Sequence, residues 1–267
     1  MLFSGNLIKL NSQYLVPVKY ILKSSNQSLI INDLIGQRVK ISFNGTINCI
    51  HCARKMRKSY GQGYCFSCFQ TVPQASPSIV RPELDQSHLG ISRDMEWAKK
   101  NSLVDHYVYL AISSSLKVGI TRYTQIPTRW IDQGASKAIR IAKVPYRQIS
   151  GLLEVELKKN FADKTNWRKM LSNNIDNGIN LLDERDKAHK LLKKANFSDY
   201  LIDDQVTEIT YPILNYPEKV SSVNLDKTPE IEARLEGVKG QYLIFEGGQV
   251  LNIRKHNGYY VDISVVK

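Results

Sequence analysis

The stretch HYVYLAISSSLKVGIT, residues 106–121, decides the fold of the middle of the chain. Its two runs alternate apolar and polar residues and are separated by three serines, which predicts two antiparallel strands joined by a turn. The following sequence predicts a short helix beginning at Pro127, a strand over KAIRIAKV (137–144) and a longer helix over ISGLLEVELKKNF (149–161). The order strand, strand, helix, strand, helix predicts a compact mixed α/β unit.

Both flanks of this unit predict β structure. Residues 14–43 predict three short strands that form a small antiparallel sheet, and residues 240–266 predict a three-stranded meander with turns at Gly247-Gly248 and Asn257-Gly258. Because three strands alone bury little apolar surface, we expect the last strands to pack against the first ones. The predicted fold class is therefore α+β, with an antiparallel β structure formed by both termini.

Domain boundaries are predicted from loop signals and helix-end signals in the sequence. The run TVPQASPSIVRPEL, residues 71–84, contains three prolines and has no helical period, which predicts a loop between two units. Within the central unit, Ser92 is the expected N-cap of a first helix, and residues 179–195 predict a last one. The predicted domains are 1–75, 85–200 and 205–267.

Composition excludes several classes of protein. The chain has 267 residues, 42% of them hydrophobic and 23% charged, so it can bury a core and is not disordered in bulk. It has no apolar run of the roughly 20 residues that cross a bilayer. Polar residues interrupt the first twenty, where a signal peptide needs a continuous apolar stretch. We therefore expect a cytoplasmic protein without a membrane partner, in a compartment that keeps cysteines reduced.

The positive charge is unevenly distributed along the chain. The net charge is +12, with +8 over residues 1–75, +7 over 76–200 and −3 over 201–267. A positive excess of this kind favours a polyanionic partner such as DNA or RNA, because neutralised phosphates release counterions. A generically basic protein would have the same composition, so charge alone leaves both interpretations open.

Two C-x2-C pairs indicate a metal site. Cys49 and Cys52 are separated by 12 residues from Cys65 and Cys68, a spacing at which four thiolates can surround one tetrahedral Zn²⁺. All cysteines of the chain are used, which leaves no ligand position open for water and predicts a structural site over 49–68. His51 is an alternative fourth ligand.

Between the pairs, basic residues are interleaved with Tyr60 and Tyr64. Cations and aromatic rings on a zinc-fixed hairpin suit phosphate contact and base stacking, and they also suit an ordinary solvated hairpin. The candidate nucleic-acid contacts are Arg54, Lys55, Arg57 and Lys58.

Short motifs in the middle of the chain resemble known families. Val108-Tyr109-Leu110, Lys117-Val118-Gly119, Arg129 and Glu154 follow in the order of the GIY-YIG nuclease core, and this resemblance covers about residues 105–172. With the cysteine pairs in front, the segments KVGITR, RWIDQGA, EVEL and TNWRKML resemble the DUF2797 family over nearly the whole chain.

The nuclease resemblance implies a role for each matching residue. Tyr109 would lie over the scissile phosphate and orient or deprotonate water, and Arg129 would hold phosphoryl oxygens. Glu154 would ligate one divalent ion, Mg²⁺ or Mn²⁺, and Asn166 could occupy the place of a further polar residue. Lys117 stands where the superfamily has its second tyrosine, so the tyrosine pair is incomplete, although lysine can bind phosphate.

These residues also have ordinary structural interpretations. Tyr109, on the same predicted strand face as Tyr107, could be a core aromatic, and Arg129 beside Trp130 could form a structural ion pair or stack. Asn166, with Thr165 before it, suits a helix N-cap. The remaining polar residues are expected to be structural or solvated: Glu156, His88 and His106.

The leading hypothesis is a metal-dependent nuclease-like protein that acts on DNA or RNA phosphodiesters. The first alternative is a zinc-ribbon module that binds nucleic acid through a degenerate site without cleaving it. A second alternative is a scaffold whose ribbon docks another protein.

Overall fold

The computed structural model describes residues 1–24, 26–162, 164–176 and 178–266. The chain divides into two compact units, each of which is discontinuous in sequence. The terminal unit comprises residues 1–70, 171–173 and 209–267, and the central unit comprises residues 71–170 and 174–208.

The strands of the described residues are β1 (Phe3–Asn6), β2 (Asn11–Gln13), β3 (Lys19–Lys23), β4 (Ser28–Ile30), β5 (Arg38–Asn48), β6 (Lys55–Met56), β7 (His106–Ile112), β8 (Leu116–Arg122), β9 (Lys137–Val144), β10 (Thr207–Glu208), β11 (Ser221–Ser222), β12 (Glu230–Lys239), β13 (Tyr242–Phe245), β14 (Gln249–Asn252) and β15 (Tyr259–Val265). The α-helices are α1 (Phe66–Thr71), α2 (Met95–Asn101), α3 (Thr128–Asp132), α4 (Arg147–Leu157), α5 (Trp167–Leu171) and α6 (Leu181–Lys194). Among the described helices, none is long and apolar enough to cross a membrane.

The main sheet of the terminal unit joins the two ends of the chain. Its strand order is β1-β15-β5-β12-β13-β14-β11, and β6 pairs with the end of β5. Phe3, Ile263, Ile41 and Ile231 are register partners across β1, β15, β5 and β12, and all four are buried. This row of apolar side chains explains why the termini share one sheet, and it confirms the predicted antiparallel β structure.

Several strands pair differently from the sequence prediction. Strands β2, β3 and β4 form their own antiparallel sheet, whereas β5 belongs to the main sheet. The predicted meander is wrong in its last step: β13 pairs with β14, but β15 lies between β1 and β5. The turn at Arg254–His256 leads β15 away from β14, and the 11-residue β5 offers a longer apolar partner edge than the short β14 does.

In the central unit, β7 lies between β8 and β9 in a four-stranded antiparallel sheet of order β10-β9-β7-β8. The first elements follow the predicted order β7, β8, α3, β9, α4, which confirms a mixed α/β unit. Val108 and Leu110 of the central strand share one buried cluster with Leu153 and Leu157 of α4 and with residues of α6. This packing fixes the position of α4 on the sheet.

The segment that precedes the sheet is ordered by turns. The proline-rich run forms 3₁₀ turns over Pro73–Ala75, Pro77–Ile79 and Pro82–Leu84, each with proline at its first position. A Cβ on Gly151 of α4 would lie 2.3 Å from the backbone nitrogen of Glu83, so this glycine allows the last turn to pack on the helix. The N-cap of α2 is Asp94, whose carboxylate accepts from Trp97 N, and not Ser92 as predicted; Ser92 bonds to Asp94 instead.

Candidate functional site

The four cysteines converge in the terminal unit. Their sulfur atoms all lie within 4.8 Å of one another, and the Sγ atoms of Cys52 and Cys65 are 3.8 Å apart. The first pair occupies the turn between β5 and β6, where Cys49 N donates to the Arg54 carbonyl, and the second pair stands at the start of α1. The four cysteines form no disulfide, and exposed His51 is not a member of the cluster.

The electrostatics of the cluster fit a bound cation. Burial raises the pKa of Cys49, but backbone N–H groups of Cys52, Cys65 and His51 that point at its sulfur bring the pKa down to about 6. Burial and the neighbouring sulfurs raise the pKa of Cys68 to about 12, because a second thiolate would lie beside the first. The four thiols cannot all lose their protons without a counter-charge, because the thiolates would repel one another. A bound metal cation would allow all four to ionise, so the cluster can hold a structural metal.

The hairpin between the cysteine pairs carries the predicted basic residues on its surface. The side chains of Arg54, Lys55, Arg57 and Lys58 are exposed, and the Lys58 Nζ lies 5.4 Å from the centroid of the Tyr60 ring. The Tyr60 ring contacts Phe66 and Phe69, with centroids 5.4 and 6.2 Å away. Sequence reasoning missed these two exposed phenylalanines, because they lie in and after the second cysteine pair and not in the basic run.

A second candidate site is a cavity of about 290 Å³ in the central unit. It is lined by β7, β8, α3, α4 and the turns near Ile79 and Pro82. Four of the five residues that the nuclease resemblance singles out lie on its wall, although they come from four different elements, and Asn166 does not line it. The four are Tyr109, Lys117, Arg129 and Glu154.

Two further arginines line the same cavity. Arg122 ends β8 and its guanidinium bonds to Asn101, while Arg147 opens α4 and donates to the carbonyls of Ser78 and Ile79. Both side chains are half-buried, and burial lowers the pKa of both. Sequence reasoning missed them, although Arg147 stands two helical turns before Glu154 and so on the same face of α4. The cavity wall therefore carries four cations and one carboxylate.

Tyr109 lies on the wall of this cavity. It is fully buried, and its hydroxyl donates to Gln133 Oε1 at 2.8 Å. Burial raises the pKa of Tyr109 against the opposing effect of Arg129, so the hydroxyl stays protonated at neutral pH. Gly119 is its register partner on β8, and a Cβ there would lie 2.6 Å from the Tyr109 hydroxyl oxygen. The glycine thus makes room for the phenol, and a protonated phenol can donate a hydrogen bond.

Glu154 and Lys117 are the buried charges of the cavity, at 8% and 4% exposure. Lys158, one turn further along α4, places its Nζ 3.3 Å from Glu154 Oε2. Glu156 does not line the cavity and pairs with Lys159 on the helix surface. The Glu154 carboxylate is thus paired with a lysine at the cavity wall, and its oxygens are of the type that a divalent ion such as Mg²⁺ binds.

The other polar residues considered from sequence lie elsewhere. Tyr107 stacks with Arg140, which forms a two-pronged ion pair with Asp204. The Asn166 side chain accepts from the backbone N–H groups of Arg168 and Lys169, as an N-cap does.

The two histidines are structural. The His88 ring stacks on Tyr146 at 4.9 Å. His106 is buried with its pKa lowered to about 4 by burial, and its Nδ1 bonds to the Val104 carbonyl.

Comparison with known proteins gives one match. The family model described as "Protein of unknown function (DUF2797)" matches residues 36–261, which include the cysteine cluster and the central cavity. No curated protein and no solved structure matches the chain.

Proposed function

The chain belongs to the DUF2797 family, and we propose that it is a metal-dependent phosphodiesterase that acts on DNA or RNA. The observation that carries this proposal is the cavity in which Tyr109, Lys117, Arg129 and Glu154 meet. Four cations around one small cavity suit the oxygens of a phosphodiester, and a single nearby carboxylate suits a hard divalent ion.

Each side chain then has a role that follows from its contacts. Arg129 and Lys117 hold the phosphoryl oxygens and stabilise charge that develops during phosphodiester cleavage. The Tyr109 hydroxyl gives its one proton to Gln133, so its oxygen would accept a hydrogen bond from the attacking water and orient it. Its raised pKa, which keeps the hydroxyl protonated, does not suit a general base. Arg122 and Arg147 add to the positive field of the cavity.

Glu154 would hold Mg²⁺ or Mn²⁺, which supplies Lewis-acid stabilisation of the phosphate. In the described residues, the cysteine cluster is the one group of three or more potential ligands, so Glu154 offers a single carboxylate. Mg²⁺ commonly binds one or two carboxylates together with waters and substrate phosphates. The ion is therefore expected to bind firmly only when nucleic acid supplies the other oxygens.

The cysteine cluster has a separate role in this proposal. It holds Zn²⁺ as a structural ion, because four thiolates complete a tetrahedron and leave no position for substrate. The fixed hairpin then presents Arg54, Lys55, Arg57 and Lys58 to the phosphate backbone, with the Tyr60 ring and the two phenylalanines available for stacking.

A second candidate function is nucleic-acid binding without cleavage. It is favoured by the buried Tyr109 hydroxyl, which is already bonded to Gln133, and by Lys117 in the place of a second tyrosine. A cavity with these two features can still bind phosphate.

A cleavage assay separates the candidates. Wild-type protein is incubated with single- and double-stranded DNA and RNA in Mg²⁺ or Mn²⁺, beside Glu154→Gln, Arg129→Ala and the matched control Glu156→Gln. Loss of one essential transition-state contact costs about 10²–10³ in rate, so we expect the first two variants to fall by that factor and the control to cut normally. Binding without cleavage would favour the second candidate, and the absence of both would favour the scaffold alternative. If Glu154→Gln cuts as fast as wild type, the site is wrongly placed.

A further inference from the structure

A second cavity of about 430 Å³ lies in the central unit and is built entirely from residues 73–102. The proline-rich 3₁₀ turns form one part of its wall, and the start of α2 forms another. Its volume lies within the range of small-molecule sites in proteins. None of the residues that the nuclease resemblance singles out belongs to it.

The lining of this cavity combines hydroxyl groups with one indole ring. Five serines contribute, together with the buried Asp85 carboxylate and Arg93, while Pro73, Pro77, Leu84 and Ile91 supply apolar surface. Asp85 is held in place because it accepts from Ser87 N at 3.0 Å and from the Ser102 hydroxyl at 2.8 Å. Half-buried Trp97 offers a flat aromatic face. Such a lining suits a ligand with a flat apolar face and polar edges.

The two cavities are neighbours. Trp97 lines both of them, and Asp85 on the wall of the second lies 3.9 Å from Arg147 on the wall of the first. The Arg147 guanidinium also donates to the carbonyl of Ser78, which lines the second cavity. A phosphate held by Arg147 and Arg129 would therefore lie in a cavity that shares Trp97 with the second one.

We propose that the second cavity receives the base and sugar of the nucleotide whose phosphate lies in the basic cavity. The proposal rests on the proposed function, and it narrows the substrate to nucleic acid with an unpaired nucleotide. A base inside a duplex cannot enter such a pocket unless it leaves the stack, which costs a few kcal/mol. Single strands, loops and ends are thus the favoured substrates.

Calorimetric titration with inorganic phosphate and with each of the four ribonucleoside monophosphates tests this proposal. Base stacking on one aromatic ring is commonly worth tenfold or more in affinity, so we expect the nucleotides to bind wild type at least about tenfold more tightly than phosphate. Trp97→Leu and Ser78→Phe, the latter filling the cavity from a half-buried position, should remove this preference. Because Ser78 does not line the basic cavity, Ser78→Phe should also leave phosphate binding unchanged. Trp167→Leu is the matched control, since Trp167 is half-buried and lines neither cavity.

The outcomes distinguish the two proposals. If phosphate binds but nucleotides bind no more tightly, the nucleoside pocket is refuted and the phosphodiesterase proposal stands. A preference that survives both Trp97→Leu and Ser78→Phe would place the nucleoside elsewhere and refute the assignment. If neither phosphate nor any nucleotide nor an oligonucleotide binds, the phosphodiesterase proposal fails as well.

Discussion

Two regions of the chain carry their positive charge in opposite ways: residues 49–68 with the four cysteines, called the ribbon, and the central cavity. The ribbon cations lie within five consecutive positions, Arg54 to Lys58, and all are exposed. The cavity cations come from three separate elements; Lys117 is buried, and Arg122 and Arg147 are half-buried. Exposed cations keep their hydration and are screened by salt, whereas cations fixed in a concave, drier site interact more strongly with one bound anion. The ribbon therefore suits a polyanion of any sequence, and the cavity suits one phosphate.

The two regions also differ in what holds them. The ribbon has the short pairing of β5 with β6 and a four-sulfur cluster, whereas the cavity wall stands on a four-stranded sheet covered by α4 and α6. This difference predicts that loss of the metal ion unfolds the ribbon locally, and that added side-chain volume distorts the cavity wall.

Metal loss has the largest expected effect. Structural zinc contributes about 10–16 kcal/mol of binding free energy in zinc-finger peptides, and that energy is coupled to folding. We expect one zinc per chain in purified protein and loss of the ion in Cys52→Ser, measured by elemental analysis. Hydrogen exchange of the amides over 49–68 should accelerate, with β13 and β14 as the reference in the same unit.

His51→Ala is the control for this experiment. Because His51 is exposed and outside the sulfur cluster, the variant should keep its zinc. Zinc loss in His51→Ala, or less than about half an equivalent in wild type, would contradict the four-cysteine assignment.

Lys239 extends the comparison to a buried cation in the sheet of the terminal unit. Its side chain is 1% exposed, with Nζ 3.3 Å from Asn173 Oδ1 and about 5 Å from the ring centres of Tyr211 and Tyr216. Burial lowers the pKa of Lys239 from 10.5 to about 8, so between these values the unfolded chain binds more protons than the folded one. The contribution of Lys239 to stability therefore rises with pH across this window, by about 3 kcal/mol in full.

The test compares wild type with Lys239→Met in urea unfolding followed by circular dichroism, between pH 7 and 10. Wild type should gain about 2 kcal/mol relative to the variant as pH rises through this range. The comparison stops at pH 10 because burial raises the pKa of Tyr216, Tyr242 and Tyr259, which then titrate in the opposite sense. A difference between the two proteins that does not change with pH would show that Lys239 is solvated.

Gly119→Ala tests the cavity wall itself. The new methyl group would meet the Tyr109 ring at 2.7 Å, and both residues are held in register on paired strands. Overpacking of this kind costs about 1–3 kcal/mol, and it should displace the Tyr109 hydroxyl from Gln133. Thermal unfolding measures the loss. Gly178→Ala is the control, because its nearest contact would be an ordinary 3.4 Å, and equal stability of the two variants would contradict the packing described here.

The features that the sequence predicted well depend on residues close together in the chain. The period of two in β7, β8 and β9 and the helical period in α4 are set by adjacent residues, and the cysteine spacing brings its own ligands together. Sequence reasoning assigned no strand to β12, although Ile231, Ala233 and Leu235 alternate with charged residues over its first half. The three charged residues are Glu230, Glu232 and Arg234. In the structure these charges pair across the sheet, Lys40 with Glu230 and Arg38 with Glu232. Their partners lie about 190 residues away, where no local pattern can reveal them.

Prediction of the cavity residues is limited in the same way, because they are distant in sequence. Tyr109, Lys117, Arg129 and Glu154 were found through family resemblance, while Arg122, Arg147 and Gln133 were missed. Their role depends on which surface α4 and the proline-rich turns present to the sheet. That arrangement depends on packing such as the close approach at Gly151, and sequence periodicity does not encode it.

The smallest expected effects, on salt dependence and affinity, distinguish the ribbon cations from the cavity cations. Neutralising one ribbon cation, as in Lys55→Gln, should remove one phosphate contact. The slope of log affinity against log salt concentration for duplex DNA should then become shallower by about 0.9. Affinity should fall a few-fold for DNA of every sequence. Arg129→Ala should change the slope by a similar amount, since it too removes one contact. Only Arg129→Ala should also slow cleavage by about 10² or more, because its charge lies where the transition state forms. Lys23→Gln, an exposed lysine on β3 outside the ribbon, controls for the change in net charge and should leave both quantities unaltered. If Lys55→Gln slows cleavage of saturating substrate as much as Arg129→Ala does, the ribbon shares in the chemistry and the division between polyanion binding and phosphate recognition is wrong.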